Sequence, residues 1–186
     1  MADAIRWPGV LRPAGVKKMP RPKLSCMAGG VAAMLAVSAA AAPLDRYTGS
    51  FDAEGVVADG PDGTPREVSC DFEVQQRRPN QLALDGTCWA WLIFSRSVGA
   101  DLSLDPQSGR ITGTYTGSKV GPARLTGRLA GPAIDVLINW PQPVNGHMTA
   151  DMRIVSLGPD RLRILVTDGG EHGVPRVTTD LSLARR

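Results

Sequence analysis

Apolar and polar residues alternate along most of the chain after residue 42, in short runs separated by turn-forming residues. In residues 66–74, one face carries Val68, Cys70, Phe72 and Val74, and the other face is polar or charged. A period of two residues with one apolar face is typical of a half-buried β-strand. Roughly nine or ten such runs follow one another, which predicts an all-β protein.

The later runs repeat this alternation and are bounded by Gly, Pro, Asn or Asp, with turns predicted at residues 105–109 and 141–146 among others. Their apolar faces fall within residues 82–88, 98–104, 111–117, 125–129, 134–140, 148–154, 162–166 and 177–183. Short connections between successive strands favour antiparallel neighbours. The pattern therefore predicts a single-domain, antiparallel up-and-down meander that closes into a small β-barrel, with a β-sandwich as the alternative.

Three glycines lie in phase with the apolar residues of their runs: Gly113, Gly117 and Gly127. Glycine inside a strand weakens it unless it marks a bend, a bulge or a close approach of two backbones. We interpret these positions as corners of a strongly coiled sheet. Space for a ligand inside the barrel is the alternative interpretation.

The strand register brings two cysteines together. If a turn at residues 75–80 places Val74 opposite Leu84, then Cys70 lies directly opposite Cys88 on the core side. Directly opposed residues have Cβ atoms about 4.5–5.5 Å apart, within reach of a disulfide after slight adjustment. The sequence predicts a Cys70–Cys88 disulfide, with two free buried thiols as the alternative.

Residues 19–42 have the three-part layout of a secretory signal peptide. Arg21 and Lys23 form a basic head, residues 24–42 form an apolar run, and that run ends in small residues. We expect a helical signal peptide that is cut after Ala40, Ala41 or Ala42, and a retained membrane anchor is the alternative. Export would place the protein in the periplasm or the medium, where disulfides persist.

The leader divides the chain into three parts. Residues 1–18 do not suit a signal peptide. We expect them to be a disordered extension or the result of a misassigned start, with Met19 as the true start. Residues 43–186 are predicted to form one all-β domain. Six of the 21 Lys and Arg precede residue 43, which leaves 15 basic and 17 acidic residues afterwards. This balance gives no support to nucleic-acid binding.

The search for chemistry finds no nucleophile elbow, zinc-binding helix, phosphate loop or dinucleotide fingerprint. His147 and His172 are the only histidines, and Gly169 and Gly170 place Asp168, Glu171 and His172 in a flexible turn. We therefore assign no catalytic residue, no metal site and no cofactor, and we keep a hydrolase as the third hypothesis.

A local resemblance appears in residues 109–117, Gly-Arg-Ile-Thr-Gly-Thr-Tyr-Thr-Gly, and 125–129, Leu-Thr-Gly-Arg-Leu. They resemble consecutive strands of avidin-type barrels, and residues 85–89 resemble that family's opening strand. The resemblance implies an eight-stranded up-and-down barrel that binds biotin, with Tyr115 at the position of a ligand-contacting tyrosine. The family's later tryptophan-bearing strands are missing, so biotin binding is not carried over.

The leading hypothesis is an exported, non-catalytic barrel that binds a small apolar ligand, with Tyr115, Trp140 and Met152 as wall residues. The runner-up is an envelope structural or interaction protein without a ligand cavity. It would act through the apolar segment that contains Trp89, Trp91 and Phe94. Expected partners are thus an apolar ligand or an envelope protein, with membrane contact only through an uncleaved leader. The sequence does not indicate an oligomeric state.

Overall fold

The computed structural model describes residues 43–58, 63–90, 94–169 and 174–186. A short 3₁₀ helix, Asp45–Tyr47, precedes the strands. In chain order these are β1 Gly49–Val57, β2 Arg66–Arg78, β3 Gln81–Ala90, β4 Phe94–Leu104, β5 Arg110–Thr116, β6 Ala123–Ala130, β7 Ala133–Val144, β8 His147–Ser156, β9 Arg161–Asp168 and β10 Arg176–Arg185.

Each strand pairs antiparallel with its neighbours in sequence, and β1 also pairs with β10. The sheet is a closed ten-stranded up-and-down barrel, which confirms the predicted fold class in its barrel form. The avidin-type resemblance implies eight strands, so the two barrels differ in size. The predicted leader and extension, residues 1–42, lie outside the described residues.

The alternation read from the sequence is the alternation between the barrel interior and the solvent. On β2, for example, Cys70, Phe72 and Val74 are buried while the residues between them are exposed. One connected cluster of buried apolar side chains fills the barrel and draws on all ten strands. This burial drives closure, because every strand contributes one apolar face that must leave water.

Two predicted turns are shorter than expected. β2 continues through Arg78 with an irregularity after Gln76, so the turn predicted at residues 75–80 shrinks to 79–80. β7 continues through Val144, although residues 141–146 read as a turn. Its regular pairing with β8 stops at Asn139 and resumes only at Val144. Proline has no N–H for the ladder, so the two prolines in this stretch interrupt pairing without ending the strand.

The two ends of the barrel differ. The terminal end carries both chain termini of the barrel and the connections at residues 79–80, 105–109, 131–132 and 157–160. The loop end carries the connections at residues 58–65, 91–93, 117–122, 145–146 and 169–175, which include the three longest. In an antiparallel meander with an even number of strands, alternate connections must lie at opposite ends.

The 3₁₀ helix seals the terminal end. Leu44 and Tyr47 are almost wholly buried, and Phe51 on β1 is equally buried. The Arg185 guanidinium lies over the Phe51 ring at 4.9 Å and donates a hydrogen bond of 2.7 Å to the Thr48 carbonyl oxygen. The arginine thus fastens the first and last segments of the barrel together and closes its base.

The inward glycines mark close approaches between backbones. A Cβ on Gly127 would overlap the carbonyl oxygen of Asp135 on β7, and one on Gly113 would overlap the carbonyl oxygen of Asp101 on β4. These overlaps support the interpretation of the glycines as corners of a coiled sheet. A small barrel needs such bends in order to close.

The predicted disulfide is present. Val74 lies opposite Leu84 and Cys70 lies opposite Cys88, in the expected register. The two sulfurs are bonded, with Cα atoms 4.0 Å apart. The bond links β2 to β3 near the loop end.

In the part of the chain that the structure describes, none of the helices has the length and hydrophobicity needed to span a bilayer.

Candidate functional site

The barrel interior is filled along most of its length. The buried apolar side chains of the core cluster each retain no more than 7% of their surface. A side chain that lined an internal cavity would keep surface open to a water-sized probe. The described residues therefore enclose no large chamber of the kind that a deeply bound ligand needs.

The packing loosens at the loop end. Eight inward apolar side chains are only partly buried against the core. Seven of them lie toward the loop end on seven different strands, and we call this set the mouth layer: Val57, Val68, Cys88, Val98, Tyr115, Trp140 and Val166. The eighth, Leu129, lies at the terminal end. The core is thus sealed at one end and partly open at the other.

The structure brings together two of the three predicted wall residues. Tyr115 and Trp140 form an edge-to-face pair with ring centroids 5.7 Å apart and an interplanar angle of 80°. Ala123, at the start of β6, lies opposite Tyr115. Both rings belong to the mouth layer, so they offer aromatic surface to a bound group while remaining packed on the core.

Met152, the third predicted wall residue, belongs to the filled core and not to the mouth layer. It is buried on β8 between Val136 and Val166. Met148 lies on the same strand, closer to the loop end, and half of its surface is exposed. The alternation that identified Met152 also includes Met148, but sequence alone does not say which of the two lies near the open end.

A polar cluster joins the mouth layer from the last two hairpins. Asp168 ends β9, and its side chain is only 4% exposed. Its Oδ2 accepts hydrogen bonds from Arg176 Nη2 at 3.0 Å and from Asn145 Nδ2 at 3.3 Å. Arg176 begins β10 directly opposite Asp168. The Arg176 guanidinium also packs against Gly63 in the first connection, so the cluster ties three loops of this end together.

Exposed apolar side chains also concentrate at the loop end. Seven large ones are exposed in the described part of the chain, and five lie at this end: Val56, Trp89, Met148, Val174 and Val177. Trp89 of the predicted interaction patch is 36% exposed and lies outward on β3, next to the inward Cys88. Trp91 and the side chain of Phe94 lie outside the described residues.

His147 starts β8 at the loop end, where its ring packs against Gly169. Within the described residues no carboxylate hydrogen-bonds it, and no three metal-binding side chains cluster. His172 and Glu171 lie outside those residues. The predictions that concern catalysis and metal binding therefore stay predictions.

Two open depressions lie on the outer wall. One crosses β2 to β5 and is lined by groups such as Asp71, Asp85 and Thr116. The other crosses β6 to β9. Both depressions are widely open to solvent, so the loop end is the better candidate site.

A scan against protein-family models and a search of curated proteins both find no match to this chain. The functional argument therefore depends on the barrel's own residues.

Proposed function

We propose that this protein is an exported, non-catalytic barrel that binds a small apolar ligand in the mouth layer at its loop end. The observation that carries the proposal is the asymmetry of the core, which is sealed at the terminal end and half-open at the loop end. Mouths of β-barrels are common ligand sites, and such sites are mostly apolar with a few fixed polar groups. The mouth layer beside the Asp168–Arg176 pair has this composition.

In this proposal the ligand lies closer to the loop end than the three wall residues predicted from the sequence would place it. The filled interior favours a ligand that lies on Tyr115 and Trp140 over one that reaches Met152. Export to the periplasm is part of the same proposal. It is supported by the signal-peptide pattern of residues 19–42 and by the formed Cys70–Cys88 bond, since disulfides persist in oxidising compartments.

A neutral apolar dye, N-phenyl-1-naphthylamine, tests the proposal, because its fluorescence rises when it leaves water. We expect saturable binding by the wild type and at least about tenfold weaker binding by Trp140→Ala, a loss of about 1.4 kcal/mol. The matched control is Trp89→Ala, which removes an indole from the same end but from the outer wall. No saturable binding, or equal losses in both variants, would refute the proposal.

A second candidate function is docking of the loop end on an envelope protein. It is favoured by the five exposed apolar side chains there, since such patches mark interaction surfaces. A photo-cross-linking residue at position 89 should trap a defined partner in the native envelope, and one at position 157 should not. Leu157 is the matched control, because it is 60% exposed but lies at the terminal end. Equal trapping at both positions would reject this candidate.

A further inference from the structure

Arg176 has more hydrogen-bond donors than the described residues satisfy. A guanidinium carries five N–H donors and no acceptor. Within the described residues its side chain donates to Asp168 Oδ2, at 3.0 Å from Nη2. Its Nε is buried and has no hydrogen-bond partner among those residues. A buried donor without an acceptor is destabilising by about 1–3 kcal/mol, so an acceptor that reached this part of the guanidinium would be stabilising.

Arg176 and its unsatisfied donor lie beside the mouth layer. Arg176 lies opposite Asp168, which follows Leu162, Ile164 and Val166 in the inward phase of β9. Val166 belongs to the mouth layer. The guanidinium therefore stands at the edge of the same opening as the apolar side chains, and 39% of its side chain is exposed.

We infer that the ligand of the mouth is an amphiphile whose oxyanion headgroup, a carboxylate or a phosphate, accepts hydrogen bonds from Arg176 while its apolar part lies on the mouth layer. This inference rests on the proposed function. An oxyanion suits the site because it offers several acceptor lone pairs and no donor, which matches the planar fork of a guanidinium. Asp168 already balances the charge of Arg176, so the preference arises from the unfilled donors and is modest.

The Asp168–Arg176 pair also explains how the donors stay in place. The Asp168 carboxylate is held by Asn145 as well as by Arg176, and the three residues belong to two adjacent hairpins. Arg176 therefore has a fixed orientation before any ligand arrives. A headgroup that binds a prearranged donor loses less conformational entropy on binding.

The test compares three probes with one chain length, dodecanoate, dodecyl phosphate and dodecanol, as competitors of the dye at pH 7.5. For the wild type we expect both anions to bind at least about fivefold more tightly than dodecanol, which corresponds to about 1 kcal/mol. A preference for only one anion identifies the headgroup within the proposed class. Equal affinity for dodecanol and both anions would overturn the inference, even where dye binding upholds the proposed function.

The decisive variant is Arg176→Met combined with Asp168→Leu, which removes the pair without leaving one buried charge alone. We expect the ratio of anion affinity to dodecanol affinity, measured within this variant, to fall to about one. The matched control is Arg163→Met with Asp180→Leu, because this pair also links β9 to β10, at 2.7 Å, but on the outer wall. The inference is wrong if the first variant keeps the preference or if the control loses it.

A milder variant protects the test against a failure of the double variant to fold. Arg176→Lys keeps the positive charge and the apolar stem but has no Nε and no planar fork. We expect its preference for anions over dodecanol, measured within this variant, to fall below about twofold. An undiminished preference would mean that charge alone attracts the anions, which contradicts the inference.

Discussion

Replacing Tyr47 with phenylalanine should stabilise the protein. The Tyr47 side chain has no exposed surface, and its hydroxyl has no hydrogen-bond partner among the described residues. The ring packs at the terminal end, where Leu44 and Phe51 are also buried. Tyr47→Phe removes only the hydroxyl oxygen and keeps the ring, so the packing that seals the barrel is preserved.

The expected magnitude comes from two independent features of this hydroxyl. An unpaired buried hydroxyl is destabilising by about 1–3 kcal/mol, so the variant should gain about 1 kcal/mol or more in free energy of unfolding. Burial also raises the pKa of Tyr47 from 10.0 to about 12. The unfolded chain therefore loses this proton near pH 10 while the folded protein keeps it. Between those pH values the wild type loses stability, by about 1.4 kcal/mol at pH 11.

Urea denaturation at pH 8 and at pH 11 measures both effects. The variant should be more stable at pH 8, and its advantage should grow by about 1.4 kcal/mol at pH 11, because the phenylalanine side chain has no proton to lose. Tyr115→Phe is the matched control, since it changes the only other tyrosine, which is only partly buried. A variant that is less stable than the wild type at pH 8 would refute the reasoning, because it would show that the hydroxyl has a partner inside the barrel.

Three further predictions concern the frame of the barrel. Replacing Cys70 and Cys88 together with alanine should lower the free energy of unfolding by about 3 kcal/mol, measured by urea denaturation, because the bond closes a loop between residues 18 positions apart; a loss below about 1 kcal/mol would contradict this. Gly127→Ala should lower the free energy of unfolding by about 3 kcal/mol, since its Cβ would overlap the Asp135 carbonyl oxygen. Gly131→Ala, at φ 60° in open space, should lower it by only about 1 kcal/mol in the same assay. Arg163→Met should destabilise the protein less at pH 2.5 than at pH 7, because Arg163 lowers the pKa of Asp180 and this contribution is lost progressively as the carboxyl protonates. An equal loss at both pH values would show that Arg163 acts through packing.

The strands and turns of the barrel could largely be predicted from the sequence, because strand periodicity and turn chemistry are local. The predicted turn at residues 105–109 is an example. The Asp105 carboxylate accepts hydrogen bonds from the hydroxyl of Ser108 and the backbone N–H of Gln107, and these bonds lower its pKa. Such contacts span two or three residues and can be inferred from composition alone. The pairing of Cys70 with Cys88 follows from register across one hairpin.

The candidate site could be predicted only in part, since it depends on contacts across the barrel. Asn145, Asp168 and Arg176 come from two separate hairpins, and nothing in their spacing indicates that they meet. Tyr115 and Trp140 are identifiable as inward aromatics, but their contact depends on the neighbouring positions of β5, β6 and β7. The alternation likewise does not show at which end of the barrel the inward side chains remain partly exposed. The sequence therefore predicts Met152 as a wall residue, although Met148 lies nearer the open end.

The difference between the two ends follows from the topology of the chain. Closure of the barrel brings the first and last strands together, and the even number of antiparallel strands returns both termini to the same end. Here the residues before β1 use that position to plug the barrel with Leu44 and Tyr47, while Arg185 of β10 holds the plug in place. A sealed base and short connections leave little freedom at the terminal end. Variation in length and composition is therefore tolerated chiefly at the loop end, where the half-buried aromatic pair and the under-used donors of Arg176 are found. The proposed binding at that end would require no opening of the filled core, so ligand affinity and barrel stability could be altered by different residues.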